Sequence, residues 1–148
     1  MRCRTLGEEE TEALGEALGR SLQAGDVVAL YGDLGSGKTT LVRGVCRGLG
    51  ASEPVSSPTF VLLNVYHGRL PIYHFDAYRL TGSEELWEIG AEELFYGEGV
   101  CLVEWAERAA DLLPPRRLEV RLNFVAGEPR ARDIEIVPLG RTLELQTS

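Results

Sequence analysis

Lysine is almost missing from this 148-residue chain: fourteen of its fifteen basic residues are Arg, and the only Lys is Lys38. Basic charge as a whole is also scarce, because 23 Asp and Glu residues leave a formal net charge of −8. Proteins that grip nucleic acid by themselves draw most of their affinity from neutralising phosphates with Lys and Arg. The charge therefore argues against a chain that holds nucleic acid alone, although it allows action on RNA through partners.

Long apolar runs and paired cysteines are absent as well. No stretch approaches the roughly 20 apolar residues of a membrane-spanning helix, and Met1 to Arg4 leads into acidic residues rather than into a signal sequence. We therefore expect a cytoplasmic protein with no membrane attachment. The three cysteines are widely spaced, and together with the two histidines they do not match zinc-ligand spacing. We expect free thiols, with Cys46 and Cys101 in the core.

The single lysine lies in a glycine-rich segment, Gly32-Asp33-Leu34-Gly35-Ser36-Gly37-Lys38-Thr39-Thr40. This segment fits the pattern G-x-x-x-x-G-K-[ST] of the phosphate-binding P-loop. An apolar run of strand type, Val27 to Tyr31, precedes it, and apolar residues at helical spacing follow from Leu41 onward. Strand, glycine loop and helix are the context that the motif needs, so the sequence predicts a nucleoside triphosphate site.

The chemistry of such a loop follows from its backbone. Glycines let amide groups turn inward to form an anion-binding nest, and the helix that begins near Lys38 adds its positive dipole end. We predict that Lys38 reaches the β- and γ-phosphates and that the Thr39 hydroxyl is a Mg²⁺ ligand, with Thr40 near the α-phosphate. The predicted nucleotide-binding residues are Asp33, Leu34, Gly35, Ser36, Gly37, Lys38, Thr39 and Thr40.

Hydrolysis needs more than a P-loop, namely a second carboxylate near Mg²⁺ and a group that orients water. Two acidic residues follow apolar strand-like runs, at the strand ends where ligands gather in open α/β sheets: Glu104 after VCLV and Asp76 after IYHF. We predict that Glu104 is the second metal ligand beside Thr39 and that Asp76 positions or activates water. The alternatives are helix capping by Glu104, and a turn or a pairing with Arg79 for Asp76.

Three further side-chain groups lie near these candidates in the sequence. Ser57 and Thr59 follow the P-loop helix, where P-loop enzymes often sense the γ-phosphate, so we predict a switch there, with a plain loop as the alternative. His74 lies two residues before Asp76 on the same predicted strand face, and we expect it to be buried and hydrogen-bonded. Trp105 follows the predicted metal ligand, and we expect it to pack in the core or against the site.

The remaining pattern alternates short helices and strands. Helices are predicted over residues 8–24, 84–95 and 106–113, and strands over 27–31, 60–66, 70–75 and 99–103. The C-terminal third alternates apolar and polar residues and predicts an antiparallel meander whose apolar positions are 118, 120, 122, 124, 134, 136, 143 and 145. We expect one P-loop domain over residues 1–148, an α/β three-layer fold whose mixed sheet has a parallel core and antiparallel additions.

Four segments occur in a specific order: the P-loop, Ser57-Pro58-Thr59-Phe60, Tyr73-His74-Phe75-Asp76-Ala77-Tyr78-Arg79-Leu80 and Val103-Glu104-Trp105. In this order and spacing the chain closely resembles the TsaE family, also called YjeE, of small bacterial P-loop ATPases. The resemblance extends over about residues 8 to 125. Members usually have Ala where Ser36 stands here, and both residues are small.

The resemblance implies a function and partners. TsaE proteins are required, with TsaB and TsaD, for the threonylcarbamoyl modification of adenosine-37 in tRNAs that read ANN codons. TsaD with TsaB transfers the group, and TsaE binds and hydrolyses ATP to reset or regulate that complex. For this chain the resemblance implies a Mg²⁺-dependent ATPase, weak alone, that acts with TsaD and TsaB and meets tRNA only through them.

The resemblance also assigns roles to particular positions. It implies that Thr39 and Glu104 hold Mg²⁺, that Lys38 and the loop amides bind phosphates, and that Asp76 is the catalytic carboxylate. It implies a switch at Ser57 and Thr59 and a position beside the site for Trp105. Less specifically, it places a further set near the nucleotide, namely Glu8, Thr11, Arg130 and Arg132.

Other nucleotide-dependent functions compete with this interpretation. The alternative is a small-molecule P-loop kinase, which normally needs an Arg-bearing lid and an acceptor pocket; no Arg-rich insertion follows the core. A GTPase is excluded because its Asn-Lys-x-Asp motif needs a second lysine. A nucleotide-gated binding module that hydrolyses only when docked overlaps with the first hypothesis, and turnover measured alone and with TsaB and TsaD separates the two.

Overall fold

Seven strands within the described residues pair into a single mixed sheet. The structure is a computed structural model that describes residues 1–56, 62–80 and 83–145. The strands are β1 (Arg2–Thr5), β2 (Val27–Tyr31), β3 (Leu63–His67), β4 (Pro71–Asp76), β5 (Val100–Glu104), β6 (Arg117–Val125) and β7 (Glu128–Leu139). Their order in space is β1-β7-β6-β2-β5-β4-β3, so the strand that leads into the P-loop lies at the centre.

The centre of the sheet is parallel and its edges are antiparallel. Strands β6, β2, β5 and β4 run in the same direction, β3 is antiparallel to β4 on one edge, and β7 and β1 are antiparallel additions on the other. Parallel strands place their carboxyl ends at one edge of the sheet, where ligands bind in open α/β folds. The predicted α/β class, with a parallel core and antiparallel additions, is confirmed.

Helices cover both faces of the sheet. They are α1 (Glu8–Ser21), α2 (Lys38–Gly48), α3 (Glu84–Glu88), α4 (Ala91–Phe95) and one 3₁₀-helix (Ala106–Ala109). Alternation along β2 sends Val28 and Leu30 into the core layer with α1 and α2, and Val27 and Ala29 into the layer with α3 and α4. None of the helices formed by the described residues is both long enough and apolar enough to cross a bilayer.

Helix α2, which carries the P-loop lysine, packs against α1 with backbone nearly touching backbone. Each helix contributes two glycines one turn apart, Gly15 and Gly19 on α1 and Gly44 and Gly48 on α2. A Cβ atom at any of the four would collide with a carbonyl oxygen of the other helix. Because these four glycines lack side chains, α2 can lie close to α1, and this close approach helps to set the position of the P-loop at the start of α2.

The helices near the site are shorter than the periodicity predicts. The helix predicted over 84–95 is two helices, because Gly90 between them adopts φ +82°, a left-handed conformation that ends the first helix. Helix α1 ends at Ser21 rather than at residue 24, since Leu22 turns to an extended conformation. The helix predicted over 106–113 is only the 3₁₀-helix, which is a single turn.

Two features of the strand pattern also differ from expectation. The C-terminal third forms a β6–β7 hairpin rather than a three-strand meander, and the predicted strand around Leu143 and Leu145 is wrong. These two side chains pack from an irregular segment onto the core layer of α1 and α2. The N-terminal strand β1, which the pattern did not predict, pairs with β7 over Arg2–Thr5. Both outcomes depend on tertiary contacts: Leu143 and Leu145 cover part of the core layer of α1 and α2, and β1 pairs with the edge of β7.

Candidate active site

The glycine loop follows β2 directly and ends where α2 begins, as predicted. Gly37 caps the helix with φ +102°, a left-handed conformation that favours glycine. Gly32 is required by space, because a Cβ there would lie 2.5 Å from Ser36 Oγ and 2.8 Å from the Leu122 carbonyl oxygen. The loop thus closes tightly enough to bring the first turn of α2, from Lys38 onward, to the wall of a cleft.

The Lys38 ammonium lies at the base of this loop. Its Nζ donates hydrogen bonds to the carbonyl oxygens of Gly32 (2.5 Å) and Asp33 (3.0 Å), and it lies 4.1 Å from the ring centroid of Trp105. Burial lowers the pKa of Lys38, and neighbouring carboxylates, Glu104 first among them, oppose that shift. The described contacts of the ammonium are with neutral carbonyls and a ring, so its charge is available to an anion.

Thr39 and Glu104 meet across 65 positions of sequence. The Thr39 hydroxyl lies 3.1 Å from each carboxylate oxygen of Glu104. Glu104 ends β5, where the parallel register places it beside Leu30, the residue before the last one of β2, and only 3% of its surface is exposed. A strand-end carboxylate and a P-loop hydroxyl therefore face each other at the carboxyl edge of the sheet.

His74 contacts the same carboxylate from another side. Its Nε2 is 2.6 Å from Glu104 Oε2, and the His74 side chain is completely buried. The structure therefore has His74 buried and hydrogen-bonded, as expected. What the sequence did not indicate is that its partner is the predicted metal ligand, since the two residues are 30 positions apart.

Asp76 ends β4 directly beside Glu104 in the parallel register. Its Oδ1 accepts a hydrogen bond from the Tyr78 backbone amide at 2.9 Å, so the carboxylate stabilises the turn that leaves the strand. It also lines the same cleft as Lys38, Thr39 and Glu104. The turn role that we weighed as an alternative is thus present, together with a position in the site.

The cleft has a volume of about 700 Å³ and collects most of the predicted residues. Seven of the eight predicted loop residues line it, and the eighth, Asp33, instead supplies a carbonyl to the lysine. Trp105 lies in its wall with a left-handed backbone (φ 57°) and with its ring 4.8 Å from that of Tyr78. Such strain in a non-glycine residue is common at functional sites.

The residues that the resemblance placed near the nucleotide less specifically, Glu8, Thr11, Arg130 and Arg132, all line the cleft. Thr11 is buried, and its hydroxyl lies 2.7 Å from that of Thr5. Arg132 also contacts the glycine loop itself: its Nε and Nη2 donate to the carbonyl oxygens of Ser36 (2.9 Å) and Gly35 (3.2 Å). Arg132 therefore supports the P-loop through its carbonyl groups.

Sequence reasoning missed other residues of the cleft wall, among them Tyr78, Arg79 and Glu85. The first two follow Asp76 within three positions, so the signal that singled out Asp76 could have included them. The predicted switch residues Ser57 and Thr59 lie outside the described residues.

The donor set suits a small hard cation beside a polyphosphate. Mg²⁺ prefers oxygen ligands and is usually held by one or two protein oxygens together with substrate phosphates rather than by a protein cage. A hydroxyl and a carboxylate beside an ammonium and a glycine loop match that description. No cluster of three or more His, Cys, Asp or Glu side chains that could hold a metal occurs in the parts of the chain that the structure describes.

Comparison with known proteins gives one consistent family. The model of the family "Threonylcarbamoyl adenosine biosynthesis protein TsaE" matches residues 5–134. The tRNA threonylcarbamoyladenosine biosynthesis protein TsaE of Treponema pallidum is 48% identical over 130 residues, covering 88% of this chain and 96% of that protein. The Bacillus subtilis protein of the same name is 39% identical, covering 98% and 90% respectively.

A solved structure agrees with these sequences. The crystal structure of Bacillus subtilis YdiB superposes with a TM-score of 0.80 at 37% sequence identity, covering 95% of this chain and 86% of that one. The family match includes the glycine loop, Asp76 and Glu104, and so contains the whole candidate site. On this evidence the chain belongs to the TsaE family.

Proposed function

We propose that this protein is a Mg²⁺-dependent ATP-binding and ATP-hydrolysing component of the tRNA threonylcarbamoyladenosine machinery and that it acts with TsaD and TsaB. The observation that supports the nucleotide part best is the contact of the Thr39 hydroxyl with both carboxylate oxygens of Glu104, at 3.1 Å, beside the Lys38 loop. Membership of the TsaE family supports the tRNA-modification part, because relatives carry that role in their names.

The P-loop binds the triphosphate in this proposal. Lys38 exchanges its carbonyl partners, Gly32 and Asp33, for β- and γ-phosphate oxygens, and the backbone amides of the loop donate to the same phosphates. Arg132 keeps the loop in shape by holding the carbonyls of Gly35 and Ser36. The positive end of α2 adds to the attraction because the helix begins at Lys38.

Thr39 and Glu104 are the residues that would hold Mg²⁺. When bound, Mg²⁺ would neutralise charge that develops on the phosphate oxygens. The hydroxyl and carboxylate are already within hydrogen-bond distance of each other, so little rearrangement of the protein is needed to present both oxygens to a cation. Burial of Glu104 keeps water from competing for its carboxylate.

Asp76 is the group that orients the attacking water. It lies beside Glu104 on the neighbouring strand, and one carboxylate oxygen is held by the Tyr78 amide. A carboxylate held in this way can accept a hydrogen bond from water and draw it toward the γ-phosphate. Its charge need not touch the metal for that role, which separates its expected mutant phenotype from that of Glu104.

Turnover and binding measurements test the proposal directly. ATP hydrolysis is measured for the chain alone and with TsaB and TsaD, and we expect weak turnover alone and faster turnover in the complex. Lys38→Ala should reduce nucleotide binding by at least about 100-fold, because Lys38 is the only lysine of the chain and its ammonium is the group proposed to bind the phosphates. Wild-type affinity in this variant would refute the phosphate assignment.

Asp76→Asn separates chemistry from binding. We expect turnover to fall by about 100-fold or more while the affinity for Mg²⁺-nucleotide changes little, because a water-orienting group acts mainly in the transition state. An equal loss of both quantities would instead make Asp76 a binding or structural residue. Recovery of the phosphate on a small metabolite rather than as inorganic phosphate would favour the kinase alternative.

A further inference from the structure

Besides Thr39, Glu104 is held by a histidine that the proposed reaction does not use. His74 Nε2 lies 2.6 Å from Glu104 Oε2, and 0% of the His74 side chain and 3% of that of Glu104 are exposed. A carboxylate only accepts hydrogen bonds, and a hydrogen on Nε2 is the arrangement in which His74 donates to Oε2. The bond therefore fixes the rotation of the carboxylate about its own axis.

The imidazole is itself fixed by a second buried side chain. The Tyr66 hydroxyl lies 3.2 Å from His74 Nδ1 and 3.2 Å from the backbone carbonyl oxygen of Ser56. Tyr66 is buried, and burial raises the pKa of its hydroxyl. Tyr66 thus lies between the backbone at Ser56 and His74, and because it has a single hydroxyl hydrogen it donates to one of these two acceptors at a time.

The two partners of the Glu104 carboxylate contact its oxygens differently. Thr39 reaches both oxygens of Glu104, whereas His74 reaches Oε2 only. A carboxylate offers about four lone-pair positions, so one histidine bond leaves room for a hydroxyl and a cation. Without that bond the carboxylate could turn within its pocket, and a small cation with strict geometry would lose a preorganised ligand.

We propose that His74, supported by Tyr66, is a positioning residue that orients the Glu104 carboxylate toward Thr39 for Mg²⁺ binding. This inference rests on the proposed function, because it assumes that Glu104 binds the metal. Outer-shell partners of metal ligands typically contribute about 10- to 100-fold to metal affinity, which sets the size of the expected effect.

The experiment compares nucleotide binding with and without Mg²⁺ by calorimetric titration of a non-hydrolysable ATP analogue. His74→Leu removes the donor and keeps an apolar side chain, and we expect it to reduce affinity about 10- to 100-fold in MgCl₂ while leaving affinity in EDTA within about twofold. His74→Gln carries an N–H at a similar reach, and we expect most of the Mg²⁺-dependent affinity to return. Tyr66→Phe removes one hydroxyl, and we expect a smaller loss of the same kind, about two- to fivefold.

The second histidine of the chain offers a matched control. His67 is exposed and pairs with Glu53 through Nδ1 at 3.0 Å, so His67→Leu breaks a histidine–glutamate pair that belongs to no site. We expect this variant to bind the analogue like wild type under both conditions. Thermal unfolding of all variants checks that the binding measurements report folded protein.

The binding results for the His74 and Tyr66 variants decide whether His74 positions Glu104. A His74→Leu protein that binds like wild type, or that loses affinity equally in MgCl₂ and EDTA, would overturn the positioning role. So would His74→Gln if it were as impaired as His74→Leu. Should His74→Leu fail to fold, Tyr66→Phe decides: unchanged Mg²⁺ dependence would overturn the inference. If wild-type binding does not depend on Mg²⁺ at all, the proposed function itself fails, and that result is distinguishable from the others.

Discussion

Two carboxylates are buried among the described residues, at opposite ends of the parallel strands. Asp26 precedes β2 and is 2% exposed, and Glu104 ends β5 and is 3% exposed. Asp26 is paired with the guanidinium of Arg141 and lies 3.6 Å from that of Arg116. Glu104 has a hydroxyl and an imidazole within hydrogen-bond distance, and the Lys38 ammonium in the same cleft interacts with it electrostatically.

The difference shows that burial alone does not identify a functional carboxylate. Burying a charge is costly unless it is paired, so the Asp26 charge is balanced within the fold by two arginines. The ion pair with Arg141 connects the segment after β7 to the start of β2, and the pair with Arg116 connects the residue before β6 to the same point. Glu104 lines the cleft, where the proposed Mg²⁺ would complete the charge balance. We therefore expect the first site to respond to substitution through stability and the second through ligand binding.

The largest expected effect is on stability. Asp26→Asn removes the charge and leaves Arg141 buried without its partner, and we expect the free energy of unfolding to fall by about 3–5 kcal/mol. Urea unfolding followed by circular dichroism measures this change. The folded fraction should bind nucleotide with wild-type affinity. A loss of affinity without a loss of stability would contradict the structural role.

Glu104→Gln tests the other carboxylate with a side chain of the same shape. The amide can still form hydrogen bonds with Thr39 and His74, so we expect a change in unfolding free energy below about 1 kcal/mol. Affinity for the ATP analogue in MgCl₂ should fall about 30-fold, or about 2 kcal/mol, because the amide carries no charge for the cation. The same analogue in EDTA is the control, where we expect little change. If stability fell as far as in Asp26→Asn, the contrast between the two carboxylates would be lost.

Ser36→Ala tests a third buried polar group, which differs from the two carboxylates because it carries no charge. The Ser36 hydroxyl oxygen has no hydrogen-bond partner among the described residues, although the side chain is fully buried in the P-loop. We expect Ala to raise the free energy of unfolding by about 1 kcal/mol, because an unsatisfied buried polar group is removed. Thermal or urea unfolding detects this gain. A decrease in stability of similar size would mean that the hydroxyl has a stabilising partner.

The smallest effect is expected at the exposed end of the Asp26 cluster. The Arg116 side chain is 54% exposed and lies 3.6 Å from Asp26, so solvent weakens the pairing. Arg116→Ala should lower the unfolding free energy by about 0.5 kcal/mol or less, far less than Asp26→Asn. A loss above about 2 kcal/mol would show that Arg116 contributes as a buried partner of Asp26 rather than as an exposed one.

Features that depend on neighbouring residues were predicted well. The P-loop is one continuous segment whose strand, glycines and helix start are all visible in sequence, so its position and its shape follow from local chemistry. Glu104 and Asp76 were found because each closes an apolar run, and the carboxyl ends of parallel strands meet at one edge. Boundaries were predicted less well wherever one glycine interrupts the pattern, as Gly90 does between α3 and α4.

Features that depend on pairs far apart were not predicted. The glycines at which α1 and α2 cross were not singled out from the sequence, because only the facing helix gives them a function. Arg132 was placed near the nucleotide, and its hydrogen bonds to P-loop carbonyls 96 and 97 positions away require knowledge of the β6–β7 hairpin. The bond between His74 and Glu104 likewise depends on β4 and β5 being neighbours in register.

By itself, then, the amino-acid sequence determined the phosphate loop, its lysine and its hydroxyl, because residues adjacent in the chain form that device through local backbone geometry. The tertiary structure added the partners of the buried carboxylates: arginines at Asp26, and a hydroxyl and an imidazole at Glu104, which lines the cleft. The physical reason is that the electrostatic environment of a buried charge is set by side chains brought together from distant strands.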